Sequence, residues 1–293
     1  MLNYYDSKNK KLISFDDTLV IEKKTDFNSD RDFCIDDKGF KLLEALFTKD
    51  KQIEFQDNLL VIDKAKIKTL QDKPVKINDD FENEITIKID LLNEAYNFVS
   101  KNQTKSVLTG VYVNVLGTIT ATDSFKLYSY DLGESNNGVI IDSILIKEIS
   151  KYSGNCIISY NENTIKCQIN DDITIYGRVI LGQYPKVSSI LNLNDYVNHT
   201  FYAMKLKDAI EIGKLVGDNI LVKFENENVK FIGENEYTKE IGTDFNITLS
   251  LEHLNIALNC IDTAFDFYYI NEIKPVKFVI GGCKNIVLLP IRK

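Results

Sequence analysis

The same kind of unit recurs five times along this chain: a short helix pattern, then two or three segments in which apolar and polar residues alternate. The helix patterns begin near Asp36, Asp90, Asp142, Met204 and Ser250. Runs such as EFQDNLLVID and NTIKCQINDDITIYGRVI follow them, with the period of two expected of half-buried strands. The units are roughly 45 to 65 residues apart, too far and too strand-rich for a common helical solenoid. The repeat therefore predicts an α+β protein whose helix-plus-β-meander units pair into globular domains.

Composition narrows the class of protein. The formal charge of −8 disfavours a protein that grips nucleic acid over its whole surface, although a local basic face is compatible with it. Five cysteines, none in a C-x-x-C pair, are interpreted as reduced core residues of a cytosolic protein. The sequence has no signal peptide and no apolar run of about 18 residues, so we expect a cytoplasmic location and no membrane partner.

The sequence contains few candidates for catalytic residues. Its two histidines, His199 and His253, belong to no nucleophile or metal-binding motif. The segment GRVILG lacks the lysine and the turn spacing of a phosphate-binding loop, and IGGCKN lies on a predicted strand. We therefore predict a protein that is not an enzyme and that uses no cofactor and no metal.

Lysines lie opposite the apolar residues on three of the helix patterns, at 100° per residue. A polar and basic loop follows the second helix pattern. These positions are the candidates for contact with DNA: Lys38, Lys41, Lys101, Asn102, Lys105, Lys147, Lys151, Lys207 and Lys214. Lysines on solvated helix faces are common, so ordinary solubility is the alternative interpretation of the same pattern.

Three further segments occur in a characteristic order. SVLTGVYVNVLGTITATDSFKLYSYDL, residues 106 to 132, reads as a hairpin leading into A-T-D-x-x-[RK]-L. GQYPKVSSIL supplies a G-x-[FY]-P turn, and the chain ends in NIVLLPIRK. In this order and spacing, the segments resemble the bacterial beta sliding clamp, the processivity subunit of the replicative DNA polymerase III. The resemblance covers essentially the whole chain.

This resemblance implies a particular architecture. Clamp chains have three similar domains of two helix-plus-strand halves each, and two chains close head to tail into a ring, with sheets outside and helices lining a central hole. The expected domains are a shortened N-terminal domain, a central domain and a C-terminal domain, at 1–83, 84–194 and 195–293. A clamp chain has six such halves, and five are recognisable in this sequence.

The resemblance also implies two contact surfaces. Ring closure would join KAKIKTLQ of one chain to GKLVGDN of the next, with Ile67 and Leu70 packed against Leu215 and Val216 under a twofold axis. Partner proteins of the family insert a short peptide, with a glutamine and one or two large apolar side chains, into a pocket between the second and third domains. The matching positions are Leu108, Thr122, Ser124, Phe125, Lys126, Leu127, Pro185, Ser189, Ile190, Val287, Leu289, Pro290, Ile291 and Arg292. Of these, Lys126 and Arg292 would pair with polar groups at the rim of the pocket.

The function that the resemblance implies is that of a DNA sliding clamp. Its partners would be double-stranded DNA without regard to sequence, a polymerase and a clamp loader bound through the peptide motif, and a second copy of itself. Two alternatives remain open. One is a clamp-like decoy or regulator that binds clamp partners without encircling DNA, and the other is an unrelated α+β binding protein.

Overall fold

The computed structural model describes residues 1–48, 53–78, 80–133, 138–192, 196–242 and 245–292. Each of the five predicted helix patterns forms a helix that begins within one residue of its predicted start, so this part of the sequence analysis is confirmed. A short additional helix follows the G-x-[FY]-P turn. The helices are α1 Asp37–Leu46, α2 Ile89–Tyr96, α3 Ser143–Ile149, α4 Ser188–Leu191, α5 Ala203–Gly213 and α6 Leu251–Asn259.

Strands make up most of the remaining regular structure. They are β1 Leu2–Asp6, β2 Lys11–Phe15, β3 Val20–Lys24, β4 Phe33–Asp36, β5 Ile53–Gln56, β6 Leu59–Ile62, β7 Ala65–Lys68, β8 Asn83–Lys88, β9 Gly110–Val113, β10 Thr118–Thr122, β11 Lys126–Asp131, β12 Val139–Asp142, β13 Asn155–Tyr160, β14 Thr164–Gln168, β15 Ile173–Arg178, β16 Val197–Tyr202, β17 Leu221–Glu225, β18 Asn228–Ile232, β19 Glu236–Glu240, β20 Ile247–Ser250, β21 Ala264–Tyr269, β22 Val276–Ile280 and β23 Lys284–Leu288.

Side chains at the helix starts explain why α1 and α6 begin where they do. The Asp36 carboxylate accepts a hydrogen bond from the Gly39 N–H at 2.7 Å, and the Ser250 hydroxyl accepts one from His253 N–H at 3.5 Å. Each side chain satisfies a backbone donor that has no partner within its helix. The acidic or hydroxyl residue that opens these two repeats is therefore an N-cap.

The chain forms two compact units, each built from two segments. The first unit comprises Met1–Asp90 and Ile144–Val179. It contains an antiparallel eight-stranded sheet in the order β4-β1-β2-β3-β15-β14-β13-β8, and a three-stranded sheet in the order β5-β6-β7. Helix α1 packs on β4 and β7 through Leu43, its most deeply buried side chain. The sheets and this helix enclose an apolar core around Tyr5, Phe33, Ile35 and Leu60.

The second unit comprises Leu91–Ser143 and Ile180–Lys293. Its eight-stranded sheet has the order β12-β9-β10-β11-β23-β22-β21-β16, and its four-stranded sheet the order β19-β18-β17-β20. An aromatic cluster fills part of its core, with Phe245 stacked on Phe267 at a centroid distance of 4.8 Å. The two eight-stranded sheets each draw strands from two of the three predicted domains, and the predicted boundary at 194 lies outside the described residues. The three-domain division stays a prediction.

A charged network lies within the second unit. The Lys284 ammonium lies 2.7 Å from Oε2 of Glu94, and it also donates to the Cys260 carbonyl at 3.0 Å. The Tyr128 hydroxyl donates to the same Glu94 carboxylate at 2.8 Å. Because Glu94 belongs to α2, Tyr128 to β11 and Lys284 to β23, the network fixes a helix against two neighbouring strands.

The cysteine prediction is largely confirmed. All five cysteines are free thiols, and Cys34, Cys156, Cys167 and Cys260 are buried, whereas Cys283 is half-buried. Burial raises the pKa of the Cys260 thiol to about 12, so this sulfur stays protonated at neutral pH. Within the described ranges, no helix is both long and apolar enough to span a bilayer, and no group of His, Cys, Asp and Glu side chains has a metal-binding arrangement.

Candidate partner-binding site

The turn between β10 and β11 is held by the Asp123 carboxylate. Its Oδ1 accepts hydrogen bonds from the N–H groups of Phe125 at 2.8 Å and Lys126 at 2.9 Å, and its Oδ2 accepts one from the Lys126 ammonium. Burial opposes ionisation of Asp123, but the hydrogen bonds from Lys126 and the backbone outweigh it and lower the pKa. The A-T-D-x-x-[RK]-L pattern thus encodes a carboxylate-centred turn.

Ser124, at the tip of this turn, has a backbone conformation that most residues avoid. Its φ is +85°, in the region that favours glycine. The Ser124 N–H donates to Thr122 Oγ1 at 3.1 Å, and the Thr122 hydroxyl donates to the Lys126 carbonyl at 2.7 Å. These bonds hold the turn closed and leave the next side chain, Phe125, projecting from it with 60% of its surface exposed.

The carboxyl-terminal strand runs beside this turn. Strand β23 pairs antiparallel with β11, with Leu127 opposite Val287, and the Leu289 N–H donates to the Phe125 carbonyl at 2.9 Å. Leu289 is 38% exposed, so the two apolar side chains Phe125 and Leu289 are presented to solvent on adjoining chain segments. Beyond them, the Ile291 N–H donates to the Thr248 carbonyl at 2.9 Å, which anchors the last described residues.

A cluster of aromatic and aliphatic side chains surrounds Tyr184 of the G-x-[FY]-P turn. The Tyr184 ring stacks on Tyr112 at a centroid distance of 5.0 Å and packs with Leu108 and Ile140. The Thr122 N–H donates to the Tyr184 hydroxyl oxygen at 3.0 Å, and burial raises the pKa of that phenol. Tyr184 therefore ties the segment that carries Pro185 and Ile190 to the 122–126 turn.

The predicted pocket residues divide into an exposed set and a buried set. Leu108, Thr122, Lys126, Leu127 and Val287 are buried and form the frame. Pro290 and Ile291 are half-buried. The exposed members are Ser124, Phe125, Pro185, Ser189, Ile190, Leu289 and Arg292. Arg292 is thus the predicted rim cation that remains exposed.

The prediction for Lys126 is wrong in one respect. We expected its ammonium to pair with polar groups at the pocket rim, but Lys126 is only 7% exposed and its ammonium is bound by Asp123. An internal ion pair replaces the contact with a ligand.

Three residues near the turn were not in the predicted pocket. Tyr184 is part of the G-x-[FY]-P motif, but its role as a hydrogen-bond acceptor depends on Thr122, which lies 62 residues earlier in the sequence. His253 of α6 lies over the Phe125 ring, with centroids 6.4 Å apart, and burial followed by the Lys126 charge lowers its pKa. The third is Lys105, whose Nζ donates to the Ser124 hydroxyl at 3.2 Å. None of these contacts has a signal in local sequence.

The lysines predicted to face DNA differ in their surroundings. Lys38, Lys101, Lys105 and Lys147 are exposed, whereas Lys207 is half-buried. Three others form ion pairs with carboxylates three or four residues earlier in the chain: Lys41 with Asp37, Lys151 with Glu148 and Lys214 with Glu211. The Asn102 side chain accepts a hydrogen bond from the Thr104 N–H at 3.0 Å and so caps the segment that follows. The positive charge of these faces is therefore weaker than a count of lysines indicates.

The residues predicted to join two chains differ in how far they are buried. Ile67, at 4% exposed, lies in the core of the first unit, and Val216 is buried in the second unit. Neither side chain is available to a partner chain, because each fills the interior of its own unit. Leu70 is half-buried beside Tyr4 and Cys34. Leu215 is 79% exposed and is the predicted joint residue with a free apolar surface.

No protein-family model and no curated protein matches this sequence. Solved structures do match it in fold. The DNA polymerase sliding clamp of Bacillus subtilis has a TM-score of 0.82 and 17% identity, over 100% of this chain and 90% of the clamp chain. The Helicobacter pylori beta clamp bound to a DNA ligase peptide has a TM-score of 0.85 and 18% identity, over 100% and 92%.

The DNA polymerase III beta subunit of Bartonella birtlesii, bound to griselimycin, gives a TM-score of 0.84 at 14% identity, over 100% of this chain and 91% of that one. Agreement over the full length, through both units, confirms the fold expected from the repeat and from the ordered motifs. The chain has the fold of the bacterial DNA polymerase III beta sliding clamps.

Proposed function

We propose that this protein is a DNA sliding clamp, which encircles duplex DNA and tethers a replicative polymerase for processive synthesis. The observation that carries the proposal is the clamp fold over 100% of the chain, together with the exposed apolar side chains Phe125 and Leu289 at the 122–126 turn. The proposed action is topological rather than catalytic: a closed ring holds the polymerase near its template because it cannot dissociate without opening. It requires no cofactor, and its place is the cytoplasm, where the DNA is replicated.

Sliding requires contacts with DNA that are weak and independent of sequence. Phosphate contacts by dispersed lysines meet this requirement, since they carry no base information and exchange readily with counterions. Lys38, Lys101 and Lys147 are the best candidates, because they are exposed and the described part of the chain gives them no carboxylate partner. The net charge of −8 disfavours DNA binding elsewhere on the protein.

The proposed partner slot is lined by Phe125, Leu289, Pro185 and Ile190, with Arg292 nearby. Exposed apolar side chains on a rigid frame suit a short peptide whose large apolar side chain is desolvated on binding. A polymerase, a clamp loader and other partners would bind in turn through such a peptide. The Helicobacter pylori clamp bound to a DNA ligase peptide is a precedent in a protein of the same fold.

Head-to-tail closure is supported by two sheet edges of opposite charge. Strand β7 is at the edge of its three-stranded sheet and exposes Lys66 and Lys68, whereas β19 is at the edge of its four-stranded sheet and exposes Glu236 and Glu240. Unpaired edges can add a strand from another chain, and opposite charges favour this over the pairing of two like edges. Leu215 would contribute an apolar contact to the joint.

Sedimentation tests the joint. We expect a dimer at micromolar concentration, a monomer for Lys66→Glu/Lys68→Glu, and recovery of the dimer when that variant is mixed with Glu236→Lys/Glu240→Lys. Wild-type protein that sediments as a monomer would contradict ring closure by this route.

A primer-extension assay with the cognate polymerase and clamp loader tests the function. A sliding clamp lengthens the products made per binding event on a singly primed circular template. A decoy that binds partners without encircling DNA would inhibit extension instead, and an unrelated binding protein would leave it unchanged.

A further inference from the structure

Lys105, which the sequence placed among the DNA-facing residues, lies at the edge of the candidate partner slot. Its Nζ donates a hydrogen bond to the Ser124 hydroxyl at 3.2 Å, and Ser124 immediately precedes the exposed Phe125. Both Lys105 and Ser124 are exposed to solvent. The ammonium group is therefore held over the tip of the 122–126 turn, within reach of a ligand that contacts Phe125.

The backbone under Lys105 is fixed by several hydrogen bonds. Lys105 belongs to the 3₁₀ segment Gln103–Thr109, in which its own φ of −106° and ψ of 59° form a kink. The Lys105 N–H donates to the Asn102 carbonyl at 3.1 Å, and the Ser100 N–H donates to the carbonyl of the buried Leu108 at 2.7 Å. A segment tied in this way directs the lysine toward the turn at a lower entropic cost than a free loop would.

Lys105 also has the binding capacity that Lys126 lacks. An ammonium group has three N–H donors, and the Ser124 hydroxyl uses one of them. Among the described residues, Lys105 forms no ion pair, whereas Lys126 is buried and bound to Asp123. Lys105 therefore supplies a positive charge that a ligand can meet directly at the tip of this turn.

We propose that Lys105 determines partner specificity by binding a carboxylate of the partner peptide, next to the apolar side chain that contacts Phe125. This inference rests on the proposed function, since it assumes that the slot binds a peptide. A protein with a net charge of −8 repels acidic peptides at long range, so their capture requires a local cation at the site. The contact is solvent-exposed, so we expect an effect of about fivefold at low salt, smaller at high salt.

The test uses fluorescein-labelled nine-residue peptides that carry one Gln, one Leu and one Phe, with a single Asp moved through the flanking positions. Each is compared by fluorescence anisotropy with its Asn counterpart, and each is made with a free and an amidated carboxyl terminus. We expect wild-type protein to bind at least one acidic form about fivefold more tightly than its neutral counterpart. Lys105→Met should abolish this preference, so that each acidic peptide binds no more tightly than its neutral counterpart. Lys8→Met, which removes an exposed lysine from the β1–β2 turn of the first unit, should retain the preference.

The comparison of free and amidated peptides distinguishes a side-chain carboxylate from a terminal one, and a preference for either supports the assignment. A preference that survives in Lys105→Met would overturn it. So would a Lys105→Met variant that loses retention on duplex DNA while its peptide preference is intact, because Lys105 would then belong to the DNA-facing set. If wild-type protein binds none of the peptides, neutral forms included, the proposed partner slot itself is wrong.

Discussion

The ion pair between Asp123 and Lys126 should be a main determinant of stability at the candidate partner site. Asp123→Asn keeps an oxygen that accepts the N–H groups of Phe125 and Lys126, but it removes the charge opposite the buried Lys126 ammonium. Loss of one partner from a buried ion pair costs about 3–5 kcal/mol. Since the Asp123 side chain is 16% exposed, we expect the lower end, about 3 kcal/mol.

Urea unfolding followed by circular dichroism measures this cost. With a slope of about 1–3 kcal/mol per molar urea, the transition of the affected unit should move down by at least about 1 M. Asp123→Asn/Lys126→Met should regain most of the loss, because no unpaired charge then remains buried. Glu211→Gln is the control: it breaks the exposed pair with Lys214 and should shift the transition little. A loss below about 1 kcal/mol, or a double variant no more stable than the single one, would refute this reasoning.

The same pair predicts a dependence on pH. Asp123 has a lowered pKa in the folded state, so its stabilising contribution is complete above the ordinary aspartate pKa of about 4 and is lost as the pH falls through the folded value. The stability difference between wild type and Asp123→Asn should therefore be constant from about pH 5 to 7 and shrink below about pH 4. A difference that persists at lower pH would show that the carboxylate charge is not its source.

Three further predictions concern other parts of the protein. Burial lowers the pKa of Lys277 to about 8, so wild type should gain about 2 kcal/mol relative to Lys277→Met as the pH rises from about 8 to 10, where the unfolded lysine is still largely protonated; a free energy of urea unfolding that changes equally with pH in both proteins over that range would contradict this. Glu94→Gln should cost about 2–3 kcal/mol in urea unfolding, because it removes the charge opposite Lys284, and Glu94→Gln/Lys284→Met should recover part of the loss. Lys147→Glu/Lys151→Glu should reduce clamp loading or processive synthesis without changing the circular-dichroism spectrum, and unchanged processivity would remove both lysines from the DNA-facing set.

The positions of α1 and α6 could be predicted from the sequence because each of these two helices begins at a local signal. Asp36 and Ser250 cap α1 and α6 through side-chain oxygens, which is a property of three or four consecutive residues. The burial of Leu206, Ala209 and Ile210 on α5 likewise follows from helical periodicity alone. Local pattern therefore accounts for the elements and for most of their buried faces.

The site was harder to predict, because its contacts join distant parts of the chain. Ile67 was expected at the joint between two chains, yet the packing of α1 on β7 buries it. Lys105 lies in a segment rich in polar residues and was assigned to the DNA-facing set. Nothing in that segment indicates its hydrogen bond to the hydroxyl of Ser124, 19 positions away. Lys126 was expected at the rim, but the carboxylate of Asp123, three residues earlier in the same turn, binds its ammonium group. For Ile67 and Lys105, contacts between distant parts of the chain decided how the side chain is placed, whereas for Lys126 a local ion pair did.

Retention on DNA of defined topology tests encirclement most directly. The protein would be loaded onto a nicked circular plasmid by the cognate clamp loader, separated from free protein by gel filtration, and then challenged by cutting the plasmid once with a restriction enzyme. A ring that holds DNA by topology stays on the circle at high salt and is released when the DNA becomes linear. Equal retention on circular and linear DNA, or loss from both at high salt, would contradict the account.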